Sequence, residues 1–192
     1  MEVCREVQLG NCIMKLVMGD YVLRPVCKDD LPMLLMWRNS DRIRSKMLQQ
    51  HIISWEEHLA WFERIKEKIP PMNFTFEYLG EAVGYGAISE CDFEKGSCSS
   101  GKYIGEPDKS PIEAGIVLTY MIDAYIYEIL KMNFTVDSTL RDNKKVLRQN
   151  LTGGNIIKEE DNVVWIYHDK KNWEKNKETI GRFIDDELVY EP

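Results

Sequence analysis

Gly105-Glu106-Pro107-Asp108-Lys109-Ser110-Pro111-Ile112-Glu113-Ala114-Gly115 leads out of a β-prone run at residues 98–105 into the longest apolar stretch of the chain, residues 111–131. A strand that passes into a buried helix through a short polar turn leaves the first helical N–H groups and the positive end of the helix dipole facing outward, where anions bind. The same residues read also as a self-satisfied helix start. Ser110-Pro111-Ile112-Glu113 has the form of a capping box with proline at the first helical position.

Toward the N-terminus, Phe74, Phe76 and Tyr78 alternate with Asn73, Thr75 and Glu77, and after Gly80-Glu81 the run 82–89 predicts a second strand. Gly84 and Gly86 mark a bulge or a close backbone approach. The polar loop 92–97 turns this strand back into the one that ends at Gly105. Ser54-Trp55-Glu56-Glu57 opens a helix whose Leu59, Phe62, Ile65 and Ile69 share one face as far as Pro70-Pro71. An earlier helix carries Leu31, Leu34, Leu35 and Trp37, has Asp29 and Asp30 as N-cap candidates, and ends at Arg38-Asn39-Ser40. Residues 12–17 and 21–26 predict a hairpin about Met18-Gly19-Asp20. On the C-terminal side come a strand at 134–138, a helix at 143–150, a hairpin of Ile156-Ile157 with 163–167 about Asp161-Asn162, and a polar helix at 173–184. This order is that of an α/β layered domain.

A chain of 192 residues with 44% hydrophobic content buries one good core, so residues 1–192 are expected to form a single domain. Within it, 1–19 reads as an N-terminal extension or extra strand and 172–192 as a C-terminal helix and tail. The net charge of −7, without an acidic tail, argues against nucleic acid as a partner. Cys4, Cys12, Cys27, Cys91 and Cys98 lack the spacing that opens a zinc site, and no metal is expected. Their odd number, with Glu2, Arg5 and Glu6 interrupting the start and Lys15 splitting the run 13–18, predicts mostly reduced core thiols and a cytoplasmic location. No stretch approaches the roughly 20 apolar residues that span a bilayer, so no membrane partner is expected.

Leu23-Arg24-Pro25, Trp37-Arg38-Asn39-Ser40, Ile53-Ser54-Trp55-Glu56-Glu57-His58-Leu59-Ala60-Trp61-Phe62, Tyr103-Ile104-Gly105-Glu106-Pro107 and Tyr127-Glu128-Ile129-Leu130-Lys131 together resemble the GNAT superfamily of N-acetyltransferases. The resemblance runs from about residue 21 to about residue 171. It is greatest to the amino-sugar N-acetyltransferases of pseudaminic-acid and related glycan pathways, and more distant to the ribosomal-protein N-terminal acetyltransferases. It implies the GNAT fold, a mixed, mostly antiparallel, splayed sheet flanked by helices. It also implies acetyl transfer from acetyl-CoA to the amine of a nucleotide-linked amino sugar by direct attack. A protein N-terminus or a polyamine as acceptor, and a GNAT-fold binding module without catalysis, are the alternatives. A homodimer is one assembly open to such a chain.

Carried over residue by residue, the resemblance places acetyl-CoA against Tyr103, Ile104 and Gly105 and against the turn Glu113, Ala114, Gly115 and Ile116, with Asn143 on the pantetheine side. Backbone N–H groups of the Tyr103 strand would polarise the thioester carbonyl. Gly115 takes the last glycine position of the family's pyrophosphate loop, Glu113 replaces the earlier glycine, and Ser110 replaces the Gln or Arg. Glu113 thereby sets a carboxylate against an anionic ligand, an opposition worth several kcal/mol at ~4 Å when partly desolvated. Asn150 stands where many relatives carry the tyrosine that protonates the departing thiolate, and an amide is no acid. Glu90 is the implied general base, needed because an ammonium cannot attack a thioester. Arg38, Asn39 and His51 flank the two helices in loops and are the candidate acceptor contacts, Arg38 for a diphosphate oxygen. Plainer readings stand beside these: a strand-end glutamate for Glu90, a surface ion pair for Arg38, an N-cap for Asn143. Trp37, Trp55, Trp61 and Phe62 read as helix packing, and His58 with its neighbouring glutamates as a solvated face.

Overall fold

The computed structural model describes residues 15–150, 153–180 and 187–191. Lys15–Met18 (β1) and Tyr21–Pro25 (β2) pair as the expected hairpin, with Gly19 taking the positive φ of the turn; residues 12–14 lie outside the described residues. Leu31–Asn39 (α1), a short turn of helix at Asp41–Arg44 (α2) and Trp55–Ile65 (α3) follow. The Ser54 capping box forms as expected, Ser54 Oγ accepting the Glu57 N–H at 3.1 Å and Glu57 Oε2 accepting the Ser54 N–H at 2.7 Å. α3 nevertheless stops at Ile65, before Pro70-Pro71, and Ile69 stands exposed outside it. Asp30 takes the N-cap position of α1, as expected, but its side chain makes no cap bond; its carboxylate is buried beneath Arg24.

Asn73–Tyr78 (β3), Glu81–Asp92 (β4) and Ser97–Ile104 (β5) make the antiparallel centre of the sheet. Gly86 answers to a close approach, since a Cβ there would stand 2.7 Å from Ile122 Cδ1. Ala114–Ala124 (α4) then continues into a single wider turn, Tyr125–Ile129, of π-helical winding. The helix read from sequence as 111–131 therefore starts three residues later and changes its winding before it ends. Phe134–Leu140 (β6), Lys144–Asn150 (α5), Asn155–Glu160 (β7), Val163–Asp169 (β8) and Lys170–Ile180 (α6) complete most of the expected order. The polar helix begins three residues earlier than expected, at Lys170, and its expected end falls in residues 181–186, outside the described residues. A ninth strand, Leu188–Glu191 (β9), was not expected; it pairs antiparallel with β1.

The strands form one sheet in the order β7-β8-β6-β5-β4-β3-β2-β1-β9, and every pairing is antiparallel except β5 with β6. On one face α4 buries Val117, Leu118, Met121 and Ile122 against Phe74, Phe76, Val83 and Ile88. On the other, Leu31, Leu34 and Trp37 of α1 and Phe62 of α3 form a second core with Val26 and Ile43, against which Tyr85 and Tyr103 pack. The result is a three-layer α/β/α arrangement. Among the described cysteines, Cys91 and Cys98 are free thiols and Cys27 is disulfide-bonded, while Cys4 and Cys12 lie outside the described residues. No helix among the described residues is long and apolar enough to cross a membrane.

Candidate functional site

Two register pairs, Ser97↔Phe134 and Cys98↔Thr135, join β5 to β6, and beyond them the strands part. On their other edges β5 stays in register with β4 out to Ile104 and β6 with β8 out to Leu140. Asp137 bridges the base of the gap, its Oδ1 accepting the Ser100 N–H at 2.6 Å and its Oδ2 the Ser100 hydroxyl at 3.3 Å. Because the Ser100 N–H faces β6, strand alternation turns the Lys102 and Ile104 N–H groups into the gap and those of Tyr103 and Gly105 toward β4. Gly105 N–H accordingly meets Val83 O at 2.7 Å. The backbone donors that face the gap thus belong to Lys102 and Ile104 rather than to Tyr103.

The turn out of β5 is held by α1 and α2. The Trp37 indole lies against Gly105, so close that a Cβ there would be 2.1 Å from the ring, and its Nε1 donates to Glu106 Oε1 at 2.8 Å. Arg42 donates to the carbonyls of Ile104 and Gly105 at 3.0 and 2.6 Å. Two of the sequence stretches that carry the resemblance therefore touch each other here, and Gly105 is glycine because of Trp37.

The expected Ser110 capping box does not form. Ser110 Oγ instead donates to Glu106 O at 3.1 Å, and Glu113 is the N-cap residue of α4 without a side-chain cap bond. The N–H groups of Glu113 and Gly115 meet no protein acceptor among the described residues. The Glu113 carboxylate lies near Tyr21, on the β2 side of α4; burial first, and then this negative charge, push the Tyr21 hydroxyl up to about 12. Since β2 lies three strands from β5, the carboxylate is directed away from the gap, and the opposition to an anion expected from its position is eased. Ala114 is buried, Gly115 half-buried, and Ile116 exposed. Asn143 precedes α5, its carbonyl accepting the Leu147 N–H at 2.9 Å.

On the α4 face the gap opens onto a cavity of about 40 Å³, lined among others by Lys102, Thr119, Asp123, Asp137, Gln149 and Asn150. Gln149 Nε2 donates to Thr119 Oγ1 at 3.0 Å, tying α5 to α4 across its mouth. Burial, partly offset by Lys102 and reinforced by Asp137, pushes the Asp123 carboxyl up to about 6. This lies above the ~4 of an unfolded aspartate, so the folded chain holds the extra proton and loses stability as pH rises from about 4 to about 6. Asp123→Asn is expected to abolish that dependence. Urea unfolding on either side of the window checks it: wild-type stability relative to the variant should drop by up to about 3 kcal/mol, and parallel profiles contradict it.

The opposite face carries the residues expected to meet the acceptor. Trp61, Tyr85 and Tyr103 form a row with ring centroids 6.3 and 5.3 Å apart, and Arg38 stands at its Tyr103 end. Arg38 donates to Gln49 O at 2.6 Å, while its Nη1 is buried without an acceptor among the described residues, as is Nε of Arg44. Burial, opposed by Tyr103 and aided by the like charge of Arg44, pulls Arg38 below the usual guanidinium range. Asn39 does not join this group: its amide is fully engaged with the backbone of Ile53, donating and accepting at 2.8 Å. His51 is exposed, 3.6 Å from Glu57 Oε1 at the start of α3. His58, expected on a solvated face, is buried instead; its Nε2–H donates to Leu31 O at 3.0 Å and its ring stacks on Trp61. Glu90 is exposed at the bulge that closes β4, with φ of 53°, on the far side of β5 from the gap. Lys102, Asp123, Asp137, Arg42 and Arg44 were missed by sequence reasoning. Lys102 had a signal, as a charged residue in the core-facing phase of Cys98, Ser100 and Ile104. Among the described residues, no three His, Cys, Asp or Glu side chains are grouped to hold a metal ion.

No protein-family model and no curated protein sequence matches the chain. Solved structures do match it. Apo FdhC, described as a nucleotide-linked sugar GNAT, superposes with a TM-score of 0.77 at 17% identity, over 88% of this chain and 98% of that one. The Campylobacter jejuni N-acetyltransferase PseH gives 0.61 at 18% identity, over 79% and 99%. A spermidine N-acetyltransferase from Vibrio cholerae, in complex with CoA and spermine, gives 0.69 at 16% identity, over 81% and 98%. The fold of this chain is the GNAT fold, with the mixed, mostly antiparallel open sheet that the sequence implied.

Proposed function

We propose that the chain is an acetyl-CoA-dependent N-acetyltransferase whose acceptor is the amine of a nucleotide-linked sugar. The observation that carries this reading is the parting of β5 from β6 beside an α4 N-terminus left without a side-chain cap. The pantetheine arm lies in the gap, the Glu113 and Gly115 N–H groups and the positive end of α4 meet the pyrophosphate, and Asn143 borders the arm. The Lys102 and Ile104 N–H groups polarise the thioester carbonyl. Glu90 takes up the proton of the attacking ammonium through water.

For the acceptor, two buried guanidinium donors without acceptors among the described residues, on Arg38 beside Tyr103 and on the neighbouring Arg44, favour a diphosphate. The same pair of positive charges disfavours a polyamine. Likeness in fold to a nucleotide-linked sugar GNAT and to PseH supports the same choice. The test is release of CoA from acetyl-CoA in the presence of UDP- and dTDP-linked amino sugars, spermidine and a peptide with a free N-terminus. Turnover is expected with an amino sugar, and Arg38→Met is expected to raise KM for it about tenfold or more while leaving KM for acetyl-CoA unchanged. Turnover with spermidine alone would reject the acceptor, and turnover with none would reject the enzyme.

A binding module without catalysis is favoured by one feature, the two hydrogen bonds that cross the gap, Ser100 to Asp137 and Gln149 to Thr119. Calorimetric titration with CoA separates the readings, because a gap held shut by these bonds takes up no CoA.

A further inference from the structure

We propose that Lys102 is the acid that protonates the departing CoA thiolate, an assignment that rests on the N-acetyltransferase reading. A thiolate leaving from the gap between β5 and β6 needs a proton donor, and the α5 position from which relatives supply one holds Asn150. Lys102 lines the same cavity as Asn150, reaching it from the opposite wall. Its Nζ is placed by a 3.1 Å bond to Ser100 Oγ, and Ser100 is in turn fixed by both oxygens of Asp137. The ammonium therefore sits at the base of the opening, beside Ser100, which is two residues past the last β5–β6 pair at Cys98, and on the residue whose own N–H faces the gap.

The other titratable groups around the cavity are unsuited to the task. On β5 itself, burial pushes the Cys98 thiol up to about 12. On the π turn, burial likewise pushes the Tyr127 phenol far up, and its hydroxyl is donated to His168 O at 3.2 Å. On β8, burial pulls His168 below the usual imidazole range, leaving it neutral. On β6, both carboxyl oxygens of Asp137 are engaged as acceptors by Ser100. On α4, Asp123 faces Lys102 and is ionised above about pH 6. α5 and α6 contribute Gln149, Asn150, Asn172 and Asn176, none of which titrates. Asp123 and Asp137 thus share the cavity with Lys102.

The step balances without a further reactant. The amine nitrogen bonds to the acetyl carbonyl carbon, and the C–S bond breaks with its electron pair on sulfur. Lys102 Nζ then gives a proton to that sulfur. The proton shed by the acylated nitrogen leaves through water at Glu90, and the neutral Lys102 amine is recharged by a proton from water in the cavity. The products are the N-acetylated amine and CoA thiol.

Lys102→Met and Lys102→Arg test this with the full chain, acetyl-CoA and whichever amine the unaltered protein accepts. Lys102→Met is expected to bind CoA within about threefold of wild type by calorimetry, to leave KM for the amine unchanged, and to lose at least about 100-fold in kcat. The wild-type kcat is expected to fall at alkaline pH as the ammonium is lost. Lys102→Arg, whose guanidinium holds its proton throughout, restores charge but lacks that alkaline limb. A merely structural lysine would move neither the limb nor kcat at constant CoA affinity. Retention of kcat within about threefold in a CoA-binding Lys102→Met variant overturns the proposal alone, as does an alkaline limb that persists in Lys102→Arg. If Lys102→Met does not fold, Lys102→Arg decides on its limb, since it preserves the charge that Asp123 and Asp137 face. Absence of turnover by the unaltered chain overturns the acetyltransferase reading and this assignment with it.

Discussion

Arg24→Met is expected to cost about 3–5 kcal/mol of folding stability, because it strands two carboxylates in the interior. Arg24 makes a fork with Asp30, donating to Oδ2 at 2.7 Å and Oδ1 at 2.9 Å, and gives its Nε–H to Glu77 Oε1 at 2.6 Å. Asp30 also accepts the Cys27 N–H and the Thr75 hydroxyl, each at 2.9 Å. The network thus pins β2, β3 and the entry to α1 to one another, and α1 is the helix that holds the turn out of β5. Urea unfolding near neutral pH reads the loss, and a cost below about 1 kcal/mol would show the pair to be a solvent-screened surface contact instead. The pH dependence supplies a second readout. Burial alone would raise the Asp30 carboxyl, but the Arg24 hydrogen bonds, the Cys27 N–H, the charge of Arg24 and the Thr75 hydroxyl outweigh it and hold Asp30 below its ordinary value. A depressed folded value means that the stabilisation is present above about pH 4 and lost as pH falls through the lower folded value. Arg24→Met is expected to remove that acid-side loss.

Which features could be read from sequence followed from how local their causes are. Ser54 and Glu57 satisfy each other within one turn, so the start of α3 was legible to the residue. Ser110-Pro111-Ile112-Glu113 has the same pattern and fails, because Ser110 Oγ turns back to the Glu106 carbonyl and Glu113 lies close to Tyr21, 92 positions earlier in the chain. The hairpin about Asp161-Asn162 was legible through its turn, where Asp161 takes φ of 50°. β9 was not, since its four residues are a strand only by virtue of pairing with β1 at the other end of the chain. The splay of β5 from β6 has no local signature either, being a relation between two strands that are far apart in sequence, and only the family resemblance implied it. The acceptor-side residues show the same limit. Arg38 stands beside Tyr103, Asn39 is held by the backbone of Ile53, and Arg44 comes from a short helix that periodicity did not reveal.

Trp37→Ala is expected to cost about 3–5 kcal/mol, as for other buried aromatic truncations, and to loosen the donor side of the site as well as the core. The indole is 3% exposed, and it both packs on Gly105 and donates to Glu106. Gly105→Ala approaches the same contact from the other side. Its new Cβ would meet Trp37 ring atoms at 2.1 to 2.4 Å, and all three of its nearest neighbours belong to that ring. A fused ring wedged between α1 and the sheet cannot swing aside as a flexible side chain does, so overpacking of about 1–3 kcal/mol is expected in the wild-type background. In the Trp37→Ala background the obstacle is gone, and Gly105→Ala should be nearly neutral. The double-mutant cycle measures the difference as a coupling energy of about 1–3 kcal/mol. An equal cost of Gly105→Ala in both backgrounds would mean that the turn is governed by the bonds from the Gly105 and Glu106 N–H groups to Val83 O, at 2.7 and 3.0 Å, and that Trp37 merely lies over it. Coupling measured in KM for acetyl-CoA as well as in stability would tie the Trp37-Arg38-Asn39 segment to the donor half of the site, through the one residue whose missing side chain makes room for it.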